Sequence, residues 1–178
     1  MKYETIGEIY ATNERVRARL HELASSLTPE QLSKLPAGEK WTVAQIIEHI
    51  SIVDESTMKI CAKLLKKAQE AGQTSDGRAV ISDNFSQKGS EIAGIKLEAP
   101  TFVRPTTGNT VSESLAKLDE NAARLGQLRG LFESVDGTEF KFPHPFFGEI
   151  SAQEWLVLKG GHEMRHIKQI ERVLAAIK

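Results

Sequence analysis

Residues 41–72, WTVAQIIEHISIVDESTMKICAKLLKKAQEAG, carry the reading that decides the fold. Thr42 followed three residues later by Gln45 is a capping box: each side chain satisfies a backbone N–H that the first helical turn leaves unpaired. Trp41 before the cap and Ile46 inside it form a hydrophobic staple. Ile46, Ile50, Val53, Ile60, Cys61, Leu64 and Ala68 then recur at three- and four-residue spacing, one face of an α-helix. Gly72 ends the run. The stretch predicts a helix over 43–71 with an apolar stripe too long for a surface element. His49 sits in register between Ile46 and Val53, so the same stripe carries an imidazole inward.

Working outward, the same start signal recurs. Thr5 with Glu8, Thr28 with Gln31, Thr110 with Glu113 and Ser151 with Glu154 repeat the box, and Ile150 with Trp155 repeats the staple. Pro29 follows Thr28 at the first helical position, where its missing N–H costs nothing. These signals predict long helices over 6–27, 43–71, 111–132 and 152–177, with a short turn of helix at 29–35. On the third, Leu115, Leu118, Ala122, Leu125 and Leu128 share a side. No run of alternating apolar residues argues for strand, so little or no sheet is expected.

Residues 72–109 contain Gly72, Gly77, Gly89, Gly94, Gly108, Pro100 and Pro105, a density that interrupts long helices. A short helix over about 79–90 fits inside. A connection of this length crosses a bundle, so the second and third long helices are expected to run parallel. The fold expected is all-α: one four-helix bundle domain over residues 1–178 with a long crossover.

Composition excludes several functions. Net charge is -1 and the sequence pI is about 6.5. That is no footprint for nucleic acid or an anionic membrane. No run of eighteen apolar residues spans a bilayer. Acids near the N-terminus oppose a signal peptide, and Cys61, the one cysteine, has no internal disulfide partner. A cytoplasmic protein is expected. Apolar strips on a bundle leave pairing into a homodimer open.

The chemistry concentrates in His162-Glu163-Met164-Arg165-His166. Histidines at i and i+4 lie one turn apart on one helix face, where both reach one metal ion. They share their stripe with Leu158, Ile170 and Val173. Bare imidazoles in a core are costly unless their lone pairs are used. Spacing alone leaves two readings: hydrogen-bonded core histidines, or three ligands, His49, His162 and His166, with open positions for water or substrate. Gly160-Gly161 before the pair marks either a close helix contact or a tolerated kink. The string also matches H-E-x-x-H, the zinc protease motif. However, Arg172 stands where the extended motif places its third His, and Glu163 is rotated about 100° from His162. The match is read as coincidental.

Three pieces together carry a resemblance. Trp41-Thr42 precedes His49 on the second long helix. His144-Pro145-Phe146-Phe147-Gly148 precedes the last helix. His162-x-x-x-His166-x-x-Gln169-Ile170 lies on it. In this order, over nearly the whole chain, they resemble the DinB-like superfamily of bacterial four-helix bundles. The resemblance implies a divalent metal, nickel or zinc, held by His49, His162 and His166. It implies a metal-dependent enzyme acting on a small molecule, either a hydrolase or a thiol S-transferase using a low-molecular-weight thiol. It implies no polymerase activity. A binding bundle without turnover is the alternative. His144 is a candidate near the site by analogy only. An apolar pocket above the metal is expected, partly covered by the crossover, with Phe146 and Phe147 as lining or core. Cys61 is read as core. Lys63, Lys66, Lys67 and Glu70, and likewise Arg15, Arg17 and Arg19, are read as solvated.

Overall fold

The computed structural model describes residues 2–177. The helices are α1 (Ile6–Ser25), α2 (Pro29–Ser33), α3 (Val43–Glu70), α4 (Asp83–Ile92), α5 (Val111–Gln127), α6 (Arg129–Ser134) and α7 (Ala152–Ala175). A 3-10 turn, Thr101–Val103, lies between α4 and α5. Strands β1 (Lys141–His144) and β2 (Gly148–Ser151) form an antiparallel hairpin that leads into α7.

Four capping boxes form reciprocally, at Thr28, Thr42, Thr110 and Ser151. The box at Thr5 is half made. Thr5 accepts from the Glu8 amide, while the Glu8 carboxylate turns to the Glu4 amide instead. The third long helix is shorter than expected. It breaks at Leu128, whose amide bonds back only three residues to Leu125. Gly126 and Gly130 flank the break and weaken helix on both sides. Ala122 of its expected apolar face is exposed. The hairpin strands, four residues each, are too short for an alternating pattern to register.

Direction follows from the cores. Ile6 and Ile9 of α1, Leu64 and Leu65 of α3, Leu125 of α5 and Leu156 of α7 belong to one apolar cluster. Leu20, Ile46, Ile47, Leu118 and Ile170 belong to a second. Thus α1 and α7 run one way, and α3 and α5 run parallel to each other the other way, as the long crossover requires. The crossover is pinned to the bundle. Val80 donates its amide to Gln153, Ser82 donates to Glu154, and Phe85 stacks on Phe147 at 4.8 Å.

The two clusters are separated by a polar layer. Asn13, Arg17, Asp54, Lys159 and Glu163 are all buried there. Arg17 therefore corrects the expectation of a solvated side chain. Its Nε and Nη2 donate to the two Glu163 oxygens at 2.7 and 2.9 Å, and its Nη1 donates to the Leu118 carbonyl at 2.6 Å. Burial alone would lower its pKa, but these carboxylates raise it. Gly160 is the close helix contact of the two readings offered: an added Cβ would lie 2.1 Å from Asn13 Oδ1. Around Gly161 nothing lies within 4 Å.

Candidate metal centre

His49 projects from the second turn of α3, and His162 and His166 from successive turns of α7. The structure brings the three together. His162 Nε2 lies 3.2 Å from His49 Nε2 and 3.1 Å from His166 Nε2. One nitrogen from each ring falls within 4.8 Å of the others.

These separations suit a shared ion. Two nitrogens each ~2.0–2.1 Å from one metal are ~2.9 Å apart at an octahedral angle and ~3.4 Å at a tetrahedral one. The observed pairs lie between. The donor chemistry agrees. His49 Nδ1 lies 2.7 Å from the Val103 carbonyl, and His166 Nδ1 lies 2.7 Å from Gln169 Oε1. Both partners accept, so each Nδ1 carries the hydrogen and each Nε2 presents its lone pair to the centre. Metal-ligating histidines are commonly fixed in this way by a carbonyl or side-chain acceptor on the far nitrogen.

The electrostatics keep all three rings neutral. Burial pushes the His49 pKa down, His162 well down, and His166 down to about 3; the neighbouring imidazoles push His162 and His166 further in the same direction. Trp41 packs against the His49 ring at 4.8 Å, so the staple residue also walls the site.

The remaining expectations resolve one by one. His144 lies in the hairpin, near enough to His162 to help lower its pKa, with its own Nδ1 accepting the amides of Phe146 and Phe147 at 3.2 and 3.3 Å. It shapes that turn and packs on Trp155. Phe147 is buried core and Phe146 packs beside it. Cys61 is fully buried, with its thiol pushed up to about 12 by desolvation. Glu163 turns from the histidines into the ion pair with Arg17, so the protease motif is coincidental in geometry as well. Beside His162, between α3 and α7, lies a void of about 10 Å³, with Ile50, Val53, Asp54, Thr57, Lys159 and Glu163 on its wall. The crossover covers the centre through Val103, and Glu48, next to His49, ties down residues 106–109. Its carboxylate accepts from Thr106 Oγ1, the Thr107 and Gly108 amides and Asn109 Nδ2, at 2.9–3.4 Å.

Three contributors escaped the sequence reading: the Val103 carbonyl, Asp54 and Lys159. Backbone carbonyls leave no residue-type signal. Asp54 had one, since it falls on the spacing Ile50, Asp54, Thr57, Cys61 that the buried face of α3 follows.

Comparison with known proteins gives two findings. A family model described as the DinB superfamily matches residues 12–170. A Bacillus subtilis (strain 168) protein named "Uncharacterized protein YuaE" is 25% identical over 154 residues, spanning 85% of this chain and 88% of that protein.

Proposed function

The chain belongs to the DinB superfamily, and from that premise we propose that it is a divalent-metal-dependent enzyme for a small-molecule substrate. His49, His162 and His166 hold one ion, nickel or zinc. The reaction is thiol S-transfer or hydrolysis. The observation that carries the reading is the convergence of three neutral Nε2 atoms at 3.1–3.2 Å, two of them oriented by acceptors behind their rings.

A bound ion supplies Lewis acidity, lowering the pKa of a thiol or water at its open positions. The chain's residues do the rest. Val103 and Gln169 fix two tautomers. Trp41 and the 3-10 turn shield the His49 side from solvent. Burial keeps the imidazoles unprotonated at neutral pH, so no proton must leave before an ion binds. The reading includes a small-molecule partner and no nucleic acid. No described helix is long and apolar enough to cross a membrane.

One observation favours a second reading, a metal- or ligand-binding bundle without turnover: the void beside His162 has room for about one water. The deciding experiment measures metal content of the untagged protein by elemental mass spectrometry, with His49→Ala alongside. Near-stoichiometric nickel or zinc that falls sharply in the variant supports the site. Protein that stays metal-free after incubation with divalent ions removes the metal from both readings and with it the enzyme. Conjugation of an electrophile by a reduced thiol, dependent on the ion, then separates the enzyme from the binding module.

A further inference from the structure

Beside the three histidines stands a fourth, His144, whose chemistry is half used. Its Nδ1 accepts from the Phe146 and Phe147 amides, groups that can only donate. Nδ1 therefore carries no hydrogen, the ring is neutral, and Nε2 carries the hydrogen instead. Burial acts in the same direction and pushes the pKa down to about 4, so the ring stays neutral at neutral pH. No group among the described residues accepts from Nε2–H. The buried side-chain atoms left without a partner belong to Asp54, Ser114 and Asn121, so the His144 donor is open to solvent. Capping the turn does not require histidine. Asn or Asp takes backbone amides in this way at turns, without a second donor at the far end of a rigid ring.

Placement follows from α7. The His144 ring packs on Trp155 at 5.2 Å. Trp155, Leu158, His162 and Arg165 recur at helical spacing along one stripe of that helix. Leu158, His162 and Arg165 are half-buried, and a Cβ added to Gly161 would meet nothing within 4 Å. This flank of the centre is open, whereas Trp41 and Val103 close the His49 flank. His144 is near enough to His162 to contribute to the lowering of its pKa.

The charges nearby favour an anion. Arg165 disfavours protons on both His162 and His166, so its field reaches the centre. Its guanidinium donates to the Ile95 carbonyl, and no carboxylate pairs with it among the described residues. The acids that could offset it are spoken for: Glu163 and Asp54 by Arg17 and Lys159, Glu48 by the loop at 106–109. A bound divalent ion would add positive charge. An anionic oxygen is the acceptor such a field attracts.

We propose that His144 is the specificity-determining residue of the centre, its Nε2–H donating to a carboxylate oxygen of the small molecule bound there. The proposal rests on the metal-site reading and names the ligand class: a metal-binding head joined to a carboxylate.

The test uses the zinc-loaded full chain. The probes are mercaptoacetate, mercaptobutyrate and mercaptohexanoate, each beside the alkanethiol of the same length, because a thiolate anchors to zinc. In calorimetric titrations, one of the carboxylates binds ~10-fold or more tighter than its alkanethiol partner. His144→Asn abolishes that preference, with zinc content and alkanethiol affinity unchanged. The Asn side-chain oxygen still takes the Phe146 and Phe147 amides, whose slow exchange shows that the turn is kept. Nitrogen-15 spectra of labelled histidines show native His144 as the Nε2–H tautomer, and its signal shifts with the preferred carboxylate but not with the alkanethiol. No preference at any length overturns the proposal, as does a preference that survives in folded His144→Asn. A native His144 without the Nε2–H tautomer, or one unmoved by every carboxylate probe, overturns it even if the variant fails to fold. Protein that takes up no zinc overturns the metal reading and this proposal with it. Zinc-bound protein indifferent to the carboxylate overturns this proposal alone.

Discussion

Gly160 and Gly161 are neighbours in one helix, yet replacing each with alanine is expected to change stability in opposite directions. Removing glycine from a helix interior gains about 1 kcal/mol for either residue. For Gly161 nothing opposes the gain, because the new Cβ meets nothing within 4 Å. For Gly160 the Cβ lands 2.1 Å from Asn13 Oδ1 and 3.2 Å from its Cγ. Asn13 is buried, and its amide donates to the Leu156 carbonyl at 3.0 Å. Moving it aside breaks that bond at a cost of about 1–3 kcal/mol. Spreading α1 from α7 instead costs about 1–3 kcal/mol of overpacking. With the helical gain subtracted, Gly160→Ala destabilises by up to about 2 kcal/mol. At about 2–4 °C per kcal/mol for a chain of this size, Gly161→Ala raises Tm by that amount, and Gly160→Ala lowers it by up to about twice as much. Thermal unfolding followed by circular dichroism on metal-stripped protein reads both. Equal stabilisation by the two substitutions would refute the contact between α1 and α7.

Acid should destabilise the metal-stripped protein well above the range in which carboxylates titrate. Unfolded histidine titrates near ~6.5, while folded His166 is held down to about 3 and His144 to about 4. The unfolded chain takes up protons first, so stability complete above ~6.5 is lost between there and the folded values, by about 2 kcal/mol from His166 alone at pH ~5. Urea titrations at pH ~7.5 and ~5 check this, and equal midpoints would contradict it. Arg17→Met leaves Glu163 and Asp54 without their guanidinium partner, for an expected loss of about 3–5 kcal/mol. Arg19→Ala, which breaks an exposed pair with Glu171, should change stability by no more than ~1 kcal/mol; urea unfolding compares the two. Burial would raise the Glu48 carboxyl, but its hydrogen bonds to residues 106–108 hold it below the usual value. Glu48→Gln should therefore speed amide exchange at residues 103–109 while helix amides of α3 and α7 keep their protection.

The histidines were legible because a helix writes its geometry into spacing. Residues 49, 162 and 166 each fall on an apolar stripe, and two stripes that must be buried must meet. The helix starts were legible because a capping box is a local bargain between residues three apart. What escaped is non-local. Arg17, unlike Arg15 and Arg19, falls on the spacing Tyr10, Asn13, Arg17, Leu20 that the buried face of α1 follows, but the partners that make its burial tolerable, Asp54 and Glu163, lie on other helices. The small size of the void depends on where Lys159 comes to rest against α3. The Val103 carbonyl belongs to a loop whose path is decided by Glu48 far upstream in the chain.

The polar layer explains how a bundle can hold three nitrogens within a few tenths of an ångström. Apolar clusters at the two ends of the helices give most of the stabilisation, but such packing tolerates shifts and rotations of its side chains. A slide of α7 by one residue moves its histidines ~1.5 Å along the axis, enough to open the separations of 3.1–3.2 Å. Directional bonds oppose that slide. Arg17 of α1 joins Asp54 of α3 to Glu163 of α7, Lys159 joins α7 to α3 again, and Asn13 seats in the space left by Gly160. Buried ion pairs are weak evidence for stability but can fix register. Here the same helices carry the pairs and the histidines, and Glu163 adjoins His162 in sequence. The charges that cost most to bury therefore stand where an error in register would most disturb the centre.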